Sequence, residues 1–261
     1  VSSFQSFVIG VVLAVNGVVP IGYCTDVSER TARLQVAFVT ASRGVCVCFM
    51  GSRQLAKIFP HRRVIAPSIM PFSLKTFDSV SYLRETVAST PKNLVSAVGS
   101  MYEPRMTLLN RVEEDLAQSG IDFSISQRML GQPKGPQEDY WLELLGSEIQ
   151  ITTTSQIVGA RTVTDLGGSN QLVYRATEAL VSGAALLIEE SEGLEKYFTR
   201  GTHLESFHDP EEAAAKVRQI LADPTRLALL QSAGRERIEE IIRSHTFWME
   251  IDVVLGHDSL R

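Results

Sequence analysis

Residues Ala184 to Ile188 read Ala-Ala-Leu-Leu-Ile, with no polar residue among them, directly after Gly183 closes a helical pattern. A strand wetted on one face alternates apolar and polar residues, whereas a strand covered on both faces does not. The run therefore predicts a central strand of a parallel sheet with helices on either side, and the fold class is α/β.

The rest of the chain follows this scheme. An apolar stripe of Phe4, Phe7, Val8, Val11 and Val15 predicts a first helix ended by Gly17. Strands follow at Val18–Cys24, Val45–Phe49 and Val64–Ala66, with helices between them from Asp26 to about Ser42 and from Gln54 to Phe59. Asp26 with Glu29 three residues later reads as a capping box. Between Pro67 and Pro91 the periodicity weakens in Ser- and Thr-rich sequence, which predicts a crossing between domains, 1–88 and 89–261.

Beyond it come a strand at Leu94–Val98 and a helix with Pro104 in its first turn, carrying Leu108, Leu109, Val112 and Leu116 on one face. Alternating Ile121, Phe123 and Ile125 predict a strand, and a helix at Gln137–Leu145 leads to another at Ile149–Thr153. Gly167-Gly168-Ser169-Asn170 is a loop before the helix that ends at Gly183. Asp209-Pro210-Glu211-Glu212 and Asp223-Pro224 each open a helix, and a last helix after Ser244-His245-Thr246 buries Trp248 and Ile251.

Composition narrows the function. Of 261 residues 44% are hydrophobic, enough for a sizeable core. The formal net charge of −5 gives no general attraction to a phosphate backbone, and His61-Arg62-Arg63 is too short for a nucleic-acid surface, so no nucleic-acid partner is expected. Cys46 and Cys48 are two apart, on one face of a strand in a reducing, cytoplasmic setting, and no further ligand spacing supports a metal. Asn16, Gly17 and Pro20 interrupt the apolar start before it reaches the roughly 20 residues of a membrane span. The start at Val1, inside an element, predicts that upstream sequence is missing and that the N-terminal domain is truncated.

Two stretches carry a family resemblance: Tyr174-Arg175-Ala176-Thr177-Glu178-Ala179-Leu180-Val181-Ser182-Gly183 with the apolar strand behind it, and Asp209 through Thr246. They resemble the spore-maturation-protein-like group of glycosyltransferases, related to group 1. Here Ala176-Thr177 stands where the group usually has an aromatic residue. Val98-Gly99-Ser100-Met101-Tyr102-Glu103-Pro104-Arg105 resembles the loop and arginine that open the donor domain of that group, so the likeness covers roughly Asn93 to the end. It implies a GT-B-like fold of two Rossmann-like domains with C-terminal helices packing back. It also implies a metal-independent, hexosyltransferase-like enzyme whose donor is a nucleoside-diphosphate sugar, with no other cofactor.

The residues suit that chemistry on their own account. Loss of a diphosphate leaving group concentrates negative charge, which backbone N–H groups and arginine stabilise. Gly99 and Ser100 end a strand before a helix start, where free N–H groups favour phosphate. Arg105 adds a charge-assisted contact, or else points to solvent as part of an ordinary connection. Arg175 and Glu178 share a helix face, and the resemblance gives the first the phosphates and the second the ribose or sugar hydroxyls; the alternative is an exposed ion pair. Asn170 and Gly183 complete the expected donor set, each with a capping role as its alternative.

Three functions fit these expectations. The first is sugar transfer to an acceptor that the sequence does not identify. The others are a non-catalytic nucleotide-sugar-binding or accessory module and a sugar-nucleotide epimerase of the same architecture.

Overall fold

The structure is a computed structural model that describes residues 3–24, 39, 41–48, 63–65, 68–86, 93–125, 136–154, 173–191 and 193–256. The expected elements around Asp26 and Gln54 lie outside these residues, apart from the end of the first of them.

A helix, α1 (Ser3–Val15), precedes three short parallel strands, β1 (Ile21–Cys24), β2 (Val45–Cys48) and β3 (Val64–Ile65), ordered β1-β2-β3. Val8, Val11 and Val15 of the expected apolar stripe of α1 are exposed. The segment expected to be an open crossing contains a helix, α2 (Leu74–Thr86), that buries Phe77 and Val80. Its polar residues line the outward face, which is why the stretch reads as weakly periodic.

The second sheet contains β4 (Asn93–Ala97), β5 (Phe123–Ile125), β6 (Ser147–Thr152), β7 (Ala185–Glu189) and β8 (Glu205–Phe207), all parallel, in the order β5-β4-β6-β7-β8. Between them run α3 (Arg105–Gln118), α4 (Gln137–Leu145) and α5 (Tyr174–Ser182), with α6 (Pro210–Ala222), α7 (Pro224–Arg243) and α8 (Thr246–Leu255) after β8. Strand β7 shows why its sequence carries no alternation. Ala185 and Leu187 join Leu109 and Val112 of α3 and Val217 of α6 in one core, while Leu186 and Ile188 join Leu180 of α5 and Ile238 of α7 in the other.

Local signals act as their chemistry demands. The Asp209 carboxylate accepts from the Glu212 N–H at 2.7 Å, but the Glu212 carboxylate takes the N–H of His208 at 2.8 Å, one residue before the cap. Asp223 caps α7 by accepting from the N–H groups of Thr225 and Arg226 at 3.0 and 3.1 Å. Pro104 is the N-cap residue of α3 and not part of its first turn. After His245 in the left-handed region, α8 crosses back to the first sheet and buries Phe247 and Ile251 against Val45, Val47 and Ile65. Trp248, expected inside, is 47% exposed, because Phe247 occupies the inward position beside it. Among the described residues no helix is long and apolar enough to cross a membrane.

Candidate functional site

Order β5-β4-β6-β7-β8 means that the chain leaves β4 toward one edge of the sheet and returns on the other side at β6. Such a reversal opens a crevice outside the carboxyl ends of the two strands, where doubly wound sheets bind ligands. The chain at this point is Val98-Gly99 after β4 and Thr153-Thr154 after β6, with Glu189 closing β7 next to them.

Arg105, the first residue of α3, lies entirely inside. Its Nη2 donates to the Val98 carbonyl at 3.2 Å and its Nη1 to the Thr153 hydroxyl at 3.3 Å, so the guanidinium ties the end of β4 to the end of β6 across the reversal. Its Nε meets no acceptor. Burial first, and then the nearby charge of Arg175, push the Arg105 guanidinium down to about 9, against the opposing influence of Tyr102, Tyr140 and Glu189. It remains charged at neutral pH. The solvent alternative for this side chain is corrected: the guanidinium is buried and ties the two strand ends together.

That contact has a consequence for the backbone. A trans peptide unit is planar, with its C=O and N–H pointing in opposite directions. With the Val98 carbonyl turned to Arg105, the N–H of Gly99 in the same unit points away from that buried floor.

Gly99 also has φ +126, a region that side chains rarely enter. A Cβ there would stand 2.5 Å from Nε and 2.7 Å from Cζ of Arg175, so the Arg175 guanidinium lies directly on the Gly99 backbone. Helix α5 delivers Arg175 from its first turn. Its N-cap is Val173, whose side chain has no acceptor to give to the helix start. The positive end of the helix dipole accompanies the guanidinium. Among the described residues no carboxylate forms a salt bridge with Arg105 or Arg175.

Glu178, three residues farther along α5, accepts a hydrogen bond from the Tyr140 hydroxyl of α4 at 2.6 Å. The expected alternative of an Arg175–Glu178 ion pair is not what the structure forms. Burial and the adjacent Glu178 raise the Tyr140 phenol well above its ordinary value, so it stays a proton donor. Tyr174 is pushed up to about 12 by burial and by Glu178. The Glu189 carboxylate accepts from the Thr154 N–H at 2.8 Å, which fixes the end of β6 against β7.

Gly99, Arg105, Arg175 and Glu178 thus converge, with half-exposed Ser100 next to Gly99. Gly183 does not join them. It caps the opposite end of α5 at φ +84, where a Cβ would meet the Arg84 guanidinium at 2.9 Å, because a helix joining two parallel strands runs back from their carboxyl ends to their amino ends. Asn170 lies outside the described residues. Sequence reasoning missed Tyr140, Thr153 and Glu189. The polar run Thr152-Thr153-Thr154 and the pair Glu189-Glu190, each closing an apolar strand, were the available signal for the last two. Tyr140 carries none, since an aromatic residue in an amphipathic helix reads as core. Among the described residues no group of three His, Cys, Asp or Glu side chains could hold a metal ion. A groove of about 770 Å³ beside α2 lies apart from this cluster; Lys75, Asp78 and Glu138 in its wall do not form a convergent cationic set.

Residues 136–249 match the family described as "Glycosyl transferase-like", a span that includes Tyr140, Arg175 and Glu178 but not Gly99 or Arg105. Among solved structures, Anabaena HepE in complex with UDP-glucose is similar at 12% identity and a TM-score of 0.63, over 98% of this chain and 77% of that one. A glycosyltransferase from Rickettsia africae is similar at 10% identity and a TM-score of 0.55, over 97% and 81%. TarM is similar at 11% identity and a TM-score of 0.55, over 90% and 50%. No curated protein matches the sequence.

Proposed function

We propose that this chain, a glycosyltransferase of GT-B type by its fold and by the family its C-terminal half matches, transfers a sugar from a nucleoside-diphosphate donor held at the reversal of the second sheet. The supporting observation is the Arg175 guanidinium lying on Gly99 above the buried charge of Arg105, with no carboxylate of the described residues bridging either arginine. Two like charges held together at a helix start favour an anion between them and the solvent.

In this reading the first domain, residues 1–88, faces the donor domain, 89–261, across the crevice. When the bond from the anomeric carbon to the diphosphate oxygen breaks, its electron pair stays on the leaving oxygen. Arg175, the Gly99 N–H and the start of α5 meet that growing charge, which gives the chain a way to stabilise it without a metal. Glu178 receives hydroxyls of the donor, and Arg105 acts from beneath by holding the strand ends. HepE is solved with UDP-glucose, so uridine diphosphate is the first ligand to try.

Calorimetric titration with uridine, guanosine and adenosine diphosphates tests the reading. One of the three binds, and Arg175→Ala or Glu178→Ala weakens it. Absence of binding to all three refutes the donor site. Release or transfer of sugar from the matching nucleotide sugar separates catalysis from mere binding.

A further inference from the structure

We infer that Phe72, in the segment that joins the two sheets, is a positioning residue: its ring is wedged between α4 and the start of α5 and fixes where Arg175 stands over Gly99. The inference rests on the donor-site reading given above and adds to it the group that aims the arginine.

Three observations carry it. The Phe72 ring stacks on Tyr174 at 25° with 5.5 Å between centroids, and it meets Trp141 nearly at right angles, 82° and 6.2 Å. Tyr174 opens α5 and Trp141 belongs to α4, so one half-buried ring touches both helices. Each of these two residues is also the sequence neighbour of a side chain at the crevice, Tyr174 of Arg175 and Trp141 of Tyr140. The peptide unit between neighbours is planar, so a ring held at one residue fixes the direction of the backbone at the next. Finally, α5 starts without the usual polar tie. Its N-cap, Val173, makes no side-chain hydrogen bond to the first turn, and the stack on Phe72 acts where that bond would be.

The aim of Arg175 tolerates little movement. Its Nε lies 2.5 Å and its Cζ 2.7 Å from where a Cβ of Gly99 would be, so the guanidinium occupies the space that the missing side chain leaves. A shift of the first turn of α5 by a fraction of that distance carries the guanidinium off the glycine. Phe72 packs at the edge of the core around Leu180 and Ile238 and not at its centre. A leucine in its place keeps apolar bulk there but offers no flat face to Tyr174 and no edge to Trp141.

The test uses Phe72→Leu, which removes the ring, and Phe72→Tyr, which keeps it. Phe198→Leu makes the same replacement in the same core, at a ring that among the described residues pairs with Tyr197 alone. Each variant is melted, and each is titrated with uridine diphosphate well below its melting temperature, with guanosine or adenosine diphosphate substituted if the parent prefers one of them. Phe72→Leu binds about tenfold more weakly, the partial loss of a charge-assisted contact, and Phe72→Tyr binds as the parent does. Phe198→Leu melts lower and binds as the parent does, a result that a general loosening of the core would not give. If Phe72→Leu does not fold, Tyr174→Leu against Tyr174→Phe opens the same stack from its other side and is read in the same way. Parental affinity in the variant that lacks the ring, or an equal loss in Phe198→Leu, overturns the positioning role while Arg175→Ala still weakens binding. If Arg175→Ala binds as the parent does, the donor-site reading itself falls and this inference with it.

Discussion

Gly99→Ala is the substitution on which the site geometry makes its strongest demand. The added methyl would stand 2.5 Å from Arg175 Nε, while ordinary van der Waals contact starts at 3.4 Å, so the guanidinium has to retreat by about 0.9 Å or rotate away. A charge-assisted hydrogen bond displaced that far is lost, and such bonds are worth about 1.5–3 kcal/mol. At ~1.36 kcal/mol per decade the affinity for a nucleoside diphosphate falls about 10- to 150-fold. The backbone adds a second effect, since holding a non-glycine residue at φ +126 costs about 1–3 kcal/mol of stability. Gly183→Ala separates the two effects. It places a methyl at φ +84, 2.9 Å from the Arg84 guanidinium, at the far end of the same helix, so it incurs a comparable backbone penalty without touching the crevice. Calorimetric titration and thermal melting of both variants give the answer. Gly99→Ala loses affinity and stability, and Gly183→Ala loses stability only. Equal affinity losses in the two variants, or parental binding by Gly99→Ala, would refute the assignment of the crevice.

Further outcomes follow from individual contacts. Asp223→Ala removes the acceptor of two N–H groups at the start of α7 and costs about 1 kcal/mol, read as a lowered melting temperature with nucleotide binding unchanged. Glu250→Ala releases Ser68, Tyr197 and Lys196, which meet its carboxylate at 2.9, 2.7 and 2.7 Å, and lowers stability by about 2 kcal/mol in a denaturant titration.

The sheet was legible because burial on both faces leaves a mark in composition: the run Ala184–Ile188 has to be apolar throughout, and β7 spans it nearly residue for residue. Caps were legible for a similar reason, since Asp209 and Asp223 satisfy N–H groups only a few residues away. Features that depend on distant packing were not. Phe247 and Trp248 are chemically interchangeable as buried residues, and only the angle at which α8 meets the first sheet selects Phe247. Arg105 shows the same limit at the site. Its position in the chain identifies a strand-to-helix connection, but whether its guanidinium faces ligand or floor depends on Thr153, 48 residues away. Gly183 sits close to Arg175 and Glu178 in sequence but at the amino ends of the strands in space, because nine helical residues span about 13 Å.

That span gives α5 a particular mechanical situation. Its first residue, Tyr174, stacks on Phe72 at 5.5 Å, and its C-cap glycine lies against Arg84 of α2. Both partners belong to the stretch that joins the two sheets. Between them Phe77 and Val80 of α2 share a core with Ala176, Ala179, Leu180 and Val181 of α5. The helix that carries Arg175 and Glu178 is thus braced along its whole length by the connecting segment, not by its own domain alone. Packed interiors transmit small shifts because they contain few voids to absorb them. A change in the angle between the sheets must act on the connecting segment, and through Phe72 and α2 it acts on the helix that presents Arg175. Any change in how the two sheets sit would for that reason also change the aim of Arg175.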